Sequence, residues 1–523
     1  MSVSLAETDA QTTAQTTAQT VRALLDTGDG ASPAIGAPGR AYLDYAGLLE
    51  HVDHTVTALN DLGLGRGDRV AIVLPNGPEM ASAFVSLSAG TATAPLNPGY
   101  RRKEYDFYLE DLGAKALIVE SGSESEAIDA ARSLGIAVLK LRVPEGARAG
   151  EFELEADPEV ALGPTATSGP AEPDDVALVL HTSGTTSRPK LVPLLHRNVC
   201  ASAKNIRTTL SLTPDDRCMN VMPLFHIHGL MAPILASLSA GASVACMPGF
   251  NALKFFGWLD EVEPTWYSAV PTMHQALLAR AGRNTDSVAR ARLRFIRSSS
   301  ASLPPQVLGE LEETFGVTVV EAYAMTEAAH QMTCNQLPPG VRKPGTVGPA
   351  AGPEVSVMDA EGNLLEPGSV GEIVIRGPNV TPGYENNPEA NATAFTNGWF
   401  RTGDQGVMDE DRYVTLTGRL KEIINRGGEK ISPKEVDEVL MDHPAVQQVV
   451  TFAVPHDKLG EEVAAAVVLR EGAEATSGEI RDFAAERLAA FKVPRTVLLL
   501  DEIPKGPTGK LRRIGLAEQL GVA

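Results

Sequence analysis

The sequence predicts an α/β fold that combines a large N-terminal domain with a small α+β C-terminal domain. The chain has 523 residues, whereas one domain typically has ~100–200. Short apolar runs alternate with helical stretches over most of the length, which favours parallel or mixed sheets. From residue 352 to about 413, strands separated by Gly, Pro and Asn turns indicate a β-rich section of the large domain.

The elements of the large domain follow from these patterns. The predicted strands include Val70–Leu74, Val176–Leu180, Cys218–Met222, Ser243–Met247, Leu293–Arg297, Val317–Glu321, Glu354–Met358 and Glu372–Arg376. The helical patterns include Asn198–Leu210 and Pro305–Thr314. Alternation of the two types over several hundred residues predicts α/β subdomains.

The α/β pattern returns after Gly418-Arg419. Ser432-Pro433-Lys434-Glu435 predicts a capping box with proline at the first helical position, opening a helix through Leu440. The remaining elements are strands at Val449–Val454, Val463–Leu469 and Thr496–Leu500, and a helix near Gly478–Ala490. We therefore predict a low-complexity lead-in over 1–20, a large domain over 21–420 and a small domain over 421–523, joined by a short charged hinge.

The charge balance argues against nucleic acid as a partner. There are 45 Lys and Arg against 66 Asp and Glu, a net charge of −21, and such a field repels phosphodiester backbones unless a local basic patch outweighs it. The longest basic run, residues 101–103, is followed at once by Glu104. The acidic excess is therefore interpreted as a solubility feature.

Cysteine usage and the terminal segments predict a cytoplasmic protein. The four cysteines form no CxxC pair, so neither a zinc site nor a disulfide framework is indicated. The N-terminus lacks a signal-peptide pattern, and no window of ~18 apolar residues predicts a membrane span.

A polar segment follows the predicted strand Val176–Leu180. It reads His-Thr-Ser-Gly-Thr-Thr-Ser-Arg-Pro-Lys over residues 181–190, with a helix expected after Leu194. Glycine permits close backbone approach, hydroxyls donate and the cations offset charge, so the segment suits a polyphosphate. It differs from the GxxxxGK[ST] loop of kinases and GTPases, because Leu191 follows Lys190 and the glycine spacing differs.

Further motifs follow in order along the chain. They are Pro223–Gly229 (PLFHIHG), Ser298–Leu303 (SSSASL), Glu321–Glu327 (EAYAMTE), Tyr384 with Trp399–Asp404 (WFRTGD), Gly418–Ile424 (GRLKEII) and Pro504–Lys510 (PKGPTGK). The set resembles that of the adenylate-forming superfamily of acyl-CoA synthetases, amino-acid-activating domains and luciferases. The resemblance spans residues 40 to 515 and implies a small C-terminal domain that is mobile.

Within that superfamily the chain is most similar to the oxalate–CoA ligases, a branch near the 4-coumarate–CoA ligases. Two departures from the wider superfamily, Ser187-Arg188 before the proline and Leu191 after Lys190, are shared with that branch. The implied reaction joins oxalate to CoA through an acyl-adenylate, with ATP and CoA as co-substrates and Mg²⁺ as cofactor.

The resemblance assigns roles residue by residue. Lys510 is implied to bind the carboxylate and α-phosphate in the first half-reaction, Thr326 to donate to the α-phosphate and Glu327 to ligate magnesium. The implied ATP site comprises Thr182, Ser183, Gly184, Thr185, Thr186, Lys190, Glu321, Ala322, Tyr323, Asp404 and Arg419.

The same resemblance implies three further groups. His226, Ser300 and His330 match the positions that hold the second carboxylate in the oxalate branch, whereas His228 is expected to be structural. Lys421 matches the hinge about which the small domain turns. Gly427, Gly428 and Lys430 are implied to face the CoA pantetheine.

Several alternatives stay open at this point. The acid could be another short-chain, fatty or aromatic carboxylic acid, including a 4-coumarate-like one. A carrier-loading adenylation domain is a different class, and the sequence after residue 510 contains no carrier-protein segment, which counts against it. A P-loop kinase or ATPase is disfavoured by the missing loop motif, and nothing points to a light-emitting monooxygenase.

Overall fold

The computed structural model describes residues 18–157, 162–182, 189–505 and 511–523. In this part of the chain the strands form four sheets with helices packed against them. This is the α/β arrangement that the sequence predicts. Most of the predicted lead-in, residues 1–17, lies outside the described residues.

The first sheet has eight described strands and carries most of the candidate site. Their spatial order is His330–Cys334, Thr318–Met325, Phe295–Ser299, Trp266–Ala269, Arg217–Asn220, Ser243–Cys246, Pro33–Ala37 and Arg40–Asp44. Pairing is parallel except at the two ends of the sheet. Parallel neighbours end at the same edge, so Ser300 and Thr326 follow adjacent strands there.

The second sheet has seven described strands. In order they are Glu153–Ala156, Ala137–Arg142, Ala116–Glu120, Arg69–Val73, Ala92–Pro95, Val176–Thr182 and Lys190–Leu195. The last two pair antiparallel. The helix begins at His196, after Leu194 as expected. However, an unpredicted strand separates it from the polar segment, so the helix N-terminus is not what flanks that segment.

The predicted β-rich section forms the third sheet, which is antiparallel throughout. Its described strands are Glu354–Met358, Val370–Arg376, Phe395–Thr396, Trp399–Met408 and Val414–Arg419. The last two strands place Asp404 opposite Arg419. Two distant motifs therefore meet through strand register.

The fourth sheet belongs to the C-terminal part of the chain. Its described strands are Ile424–Arg426, Glu429–Ile431, Val446–His456, Gly460–Leu469 and Thr496–Leu499. The predicted division after residue 420 falls between the last strand of the third sheet and the first strand of the fourth, and it stays a prediction about domains.

The helix of the predicted capping box spans Pro433–Met441. Ser432 Oγ accepts from the Glu435 backbone N–H at 3.4 Å. The Glu435 carboxylate instead accepts from Lys492 Nζ at 2.6 Å. The prediction of the reciprocal hydrogen bond of the capping box is therefore wrong. The Glu435 carboxylate forms an ion pair with Lys492 and does not accept from the backbone at the helix start.

Helices pack against the sheets. The α-helices of four or more described residues are Val21–Leu24, Tyr45–Asp61, Pro78–Ser88, Arg102–Leu112, Glu126–Ser133, His196–Thr209, Phe255–Val262, Pro271–Ala281, Thr285–Arg290, Pro305–Phe315, Pro388–Ala394, Pro433–Met441, Ser477–Ala485 and Leu516–Gln519. A π-helix spans Leu230–Ala236 between two single turns, Ile227–Gly229 and Ser237–Ser239, and 3₁₀ turns occur at Leu25–Thr27 and Thr326–Ala328. Within the described ranges, none of these helices has the length and apolarity needed to span a membrane.

Candidate active site

Three predicted nucleotide-site residues meet at one hydrogen-bonded group. Tyr323 Oη donates to Asp404 Oδ2 at 2.5 Å, and Arg419 Nε lies 3.1 Å from Asp404 Oδ1. Burial raises the pKa of Asp404, and the charge of Arg419 and the bond from Tyr323 oppose that rise. The carboxylate is thus a fixed acceptor, held between an aromatic ring and a cation.

A second group surrounds the predicted metal ligand, Glu327, in the turn Thr326–Ala328. Tyr384 Oη donates to Glu327 Oε1 at 2.9 Å, and Lys190 Nζ lies 4.3 Å from the centre of the Tyr384 ring. Burial raises the pKa of Glu327, which Tyr384, Arg419 and Lys190 oppose. The two nearby cations favour binding of a polyanion, and the buried carboxylate favours a metal cation that the polyanion carries with it.

The candidate acyl pocket contains a chain of polar side chains. His228 Nδ1 lies 3.0 Å from Ser300 Oγ, and its Nε2 lies 2.6 Å from Ser268 Oγ. The His330 ring stacks on His228 with centroids 5.0 Å apart and planes 26° apart. His226 caps the following turn, accepting from the His228 backbone N–H at 3.2 Å. His228, expected to be structural, is therefore the histidine that contacts Ser300.

Backbone strain coincides with this pocket. Ser300 has φ +75° and His330 has φ +98°, and both are non-glycine residues in the left-handed region. Such conformations cost on the order of 1–3 kcal/mol each and are typical of binding and catalytic sites. The strain accompanies the placement of both side chains at the edge where the parallel strands end.

The Tyr323–Asp404–Arg419 group and Ser300 line a cavity of about 300 Å³ between the large N-terminal part and the small C-terminal part. Six predicted site residues line it, namely Ser300, Glu321, Ala322, Tyr323, Asp404 and Arg419. Lys434, Asp437 and Arg513 line it from the C-terminal side. The polar pocket and the nucleotide residues therefore open into one space.

Glu321 is the buried carboxyl of this cavity. Its Oε1 accepts from the Leu303 backbone N–H at 2.8 Å. Burial raises its pKa to about 7, and the charge of Lys434 opposes that rise. Glu321, which was predicted to bind ATP, therefore changes its protonation state near neutral pH.

Comparison with known proteins decides the family. The AMP-binding enzyme family matches residues 20–385, and the AMP-binding enzyme C-terminal domain matches residues 435–510. The protein belongs to the AMP-binding enzyme family. The prediction of an adenylate-forming enzyme from the motifs is therefore confirmed.

Relatives of this AMP-binding enzyme include CoA ligases over nearly the full chain. The oxalate–CoA ligase of Arabidopsis thaliana is 45% identical over 485 residues, covering 92% of this chain and 94% of the relative. The oxalate–CoA ligase of Saccharomyces cerevisiae is 43% identical over 506 residues, covering 91% and 92%.

A solved structure confirms the predicted fold. ATP-bound MatB from Rhodopseudomonas palustris superposes with a TM-score of 0.85 at 29% identity, covering 96% of this chain and 98% of that one. The fold assigned from sequence pattern is therefore that of a solved, ATP-bound structure.

The remaining predicted residues of this AMP-binding enzyme are more dispersed. Lys421 lies near Lys190, whose pKa is lowered by burial and by the charge of Lys421. Gly427 and Gly428 form the turn between the strands Ile424–Arg426 and Glu429–Ile431. That turn and Lys430 stand outside the lining of the cavity.

Some predicted residues lie outside the described part of the chain. These are Ser183, Gly184, Thr185 and Thr186 of the polar segment and Lys510 of the C-terminal motif. Thr182, the last residue of its strand, pairs with Lys190. Among the described residues, no cluster of three or more metal-ligating side chains occurs.

Two residues beside the site were given no role in binding by the sequence analysis. His228 was expected to be structural, and the structure places it against Ser300. Arg297, in the strand Phe295–Ser299, is completely buried beside His228. An arginine directly after the apolar pair Phe295-Ile296 in a predicted strand is the signal that could have identified it.

Proposed function

We propose that this AMP-binding enzyme is an oxalate–CoA ligase. An oxalate carboxylate oxygen attacks the α-phosphorus of ATP, the α–β phosphoanhydride bond breaks and diphosphate leaves. The CoA thiolate then attacks the acyl carbon of oxalyl-adenylate, and AMP leaves with the bonding electrons of the broken C–O bond. The observation that carries the proposal is the hydrogen-bonded chain Ser300–His228–Ser268, whose Ser300 end lines the same cavity as the Tyr323–Asp404–Arg419 group.

The first half-reaction brings an anion to a tetra-anion, so positioning and charge neutralisation dominate. We assign Asp404 to accept from the ribose hydroxyls and Tyr323 to pack on adenine. Thr326 and Lys190 face the phosphates. Lys510 is assigned to bridge the substrate carboxylate and the α-phosphate.

Glu327 is the residue that would hold Mg²⁺. Its carboxylate is buried, one oxygen already accepts from Tyr384, and a cation would favour the ionised form that burial opposes. One carboxylate with substrate phosphates suits this ion, which supplies charge neutralisation at the phosphates.

The polar side chains of the acyl pocket support oxalate as the acid. Ser300, His330 and His226 are assigned to the second carboxylate, with His228 orienting Ser300. A fatty-acyl chain would offer the Ser300 hydroxyl no acceptor in the cavity that it lines, at a cost of about 1–3 kcal/mol. Hydroxyl and imidazole donors are instead suited to carboxylate oxygens.

The second half-reaction is assigned to a different orientation of the domain at 421–523. Lys421 is the assigned pivot. Gly427, Gly428 and Lys430, at present away from the cavity, would then face the pantetheine arm of CoA.

Diphosphate release with a panel of acids tests the proposal. Oxalate, malonate, succinate, acetate, hexanoate and 4-coumarate are each supplied with ATP, and CoA is present or absent. We expect oxalate- and CoA-dependent release of AMP and diphosphate. Good turnover of hexanoate or 4-coumarate with none of oxalate would refute the substrate, and loading of a carrier protein without CoA turnover would refute the ligase assignment.

A further inference from the structure

Arg297 is a buried cation with an unusual environment. Its side chain has no exposed surface, and it extends from the strand Phe295–Ser299. Burial lowers its pKa, and the ionisable groups that oppose this shift are the thiols of Cys334 and Cys218. No carboxylate in the described ranges is paired with it. An arginine stays charged in a protein, and burying a charge without a counter-ion is costly.

Its hydrogen bonds hold the guanidinium in one orientation. Nη2 donates to Gln331 Oε1 at 3.2 Å, and Nη1 donates to Ser268 Oγ at 3.3 Å. Gln331 is itself held, because its Nε2 donates to Thr209 Oγ1 at 3.1 Å. The cation is thus fixed between the strand Trp266–Ala269 and the edge strand His330–Cys334.

The hydrogen bonds from Arg297 determine which group donates and which accepts in the chain Ser268–His228–Ser300. A guanidinium can only donate, and Nη1 lies 3.5 Å from His228 Nε2 as well as near Ser268. A nearby cation disfavours a proton on Nε2, so that nitrogen accepts from Ser268. His228 Nδ1 then carries the proton and donates to Ser300 Oγ at 3.0 Å. The Ser300 hydroxyl is left to donate into the cavity that it lines.

We propose that Arg297 is a positioning and specificity-determining residue that selects acids carrying a second negative charge. It acts through Ser268 and His228, which orient the Ser300 hydroxyl proton toward the acid, and its buried charge attracts the distal carboxylate. The acid supplies a counter-ion that the described residues do not provide. This inference rests on the proposed acid–CoA ligase function and names the charge class of its substrate.

The test compares two acids of the same shape. Oxalate and oxamate differ by one carboxylate replaced with an amide, so they separate charge from size. In the Arg297→Gln variant we expect kcat/KM for oxalate to fall about 30-fold. This factor corresponds to the interaction energy of one charge pair at a protein's effective dielectric constant. For oxamate we expect a change of less than about threefold, and Arg297→Lys should retain part of the oxalate preference.

Controls separate this role from a structural one. Arg294→Met removes an arginine of the same segment that pairs with Asp216 at 2.8 Å, and it should lower the melting temperature without changing the oxalate-to-oxamate ratio. If Arg297→Gln does not fold, Ser268→Ala breaks the same chain and should lower the ratio. An equal loss for both acids in the folded variants would overturn the inference.

A second outcome concerns the proposed function alone. If the wild-type enzyme activates malonate but not oxalate, the oxalate assignment fails. The charge inference is then tested with malonate and its half-amide in the same variants. An unchanged ratio for that pair would overturn it.

Discussion

The hydroxyl of Tyr384 offers the sharpest test of the proposed magnesium site. Tyr384 Oη donates to Glu327 Oε1 at 2.9 Å, and the same ring lies 4.3 Å from Lys190 Nζ. Tyr384→Phe removes the donor and keeps the ring. A hydrogen bond to a charged group contributes about 1.5–3 kcal/mol. We therefore expect diphosphate release to slow by roughly 10- to 100-fold at subsaturating Mg²⁺.

The same variant changes the pH profile in a defined direction. The bond from Tyr384 lowers the pKa of Glu327, while burial raises it. Its loss raises that pKa further, so the acidic limb of the rate profile moves to higher pH, by about one to two pH units for the same free energy. Excess Mg²⁺ should partly restore the rate, because it favours the ionised carboxylate.

Tyr413→Phe is the matched control. Tyr413 Oη donates to the Val341 carbonyl oxygen at 2.6 Å, so this variant also loses one tyrosine hydrogen bond, but to a neutral acceptor. We expect a change in melting temperature without a change in Mg²⁺ dependence. If both variants give the same Mg²⁺ dependence and pH profile as the wild type, Tyr384 does not support the metal ligand and the reasoning is refuted.

Three further predictions concern Lys510, Asp404 and Glu321. Lys510→Ala should abolish adenylate formation and leave thioester formation from preformed oxalyl-adenylate largely intact, and equal loss of both half-reactions would contradict the assigned role. Asp404→Asn weakens the pairing with Arg419 and the bond from Tyr323, so the KM for ATP should rise about tenfold or more, for a loss of about 1.4 kcal/mol or more; an unchanged KM in a binding or initial-rate assay would contradict it. The folded pKa of Glu321, about 7, exceeds its unfolded value, so wild-type stability falls as pH rises from about 4.5 to 7. Glu321→Gln should remove that loss and stabilise the protein at pH 8 by up to about 3 kcal/mol, seen as a higher melting temperature; a variant that is less stable at pH 8 would contradict it.

Short sequence motifs supplied the residues predicted for the nucleotide side of the site. Tyr323, Asp404 and Arg419 belong to three separate motifs, and the structure joins them within hydrogen-bond distance. Each motif is short, so its residue types can be recognised from the sequence alone. The strand register that sets Asp404 opposite Arg419 is what the motifs could not supply.

The acyl pocket was predicted less completely. His226 and His228 both lie in the segment PLFHIHG, and the sequence analysis assigned His226 to the acid and expected His228 to be structural. Only the packing of the following turn makes one histidine a cap and brings the other against Ser300. The strand Lys190–Leu195 was also missed, because its pairing with Val176–Thr182 depends on the partner strand and not on its own pattern.

The sequence by itself determined the fold class, the family and the order of the chemical motifs, because these depend on residue types at short spacing. The tertiary structure decided what Arg297 contacts. Its neighbours Ser268, His228 and Gln331 come from three other segments. Strand pairing and the packing of the turn Ile227–Gly229 bring those segments together. The energy of an interaction with a buried charge depends on the distance between the groups. For residues far apart in the sequence, that distance is set by tertiary packing.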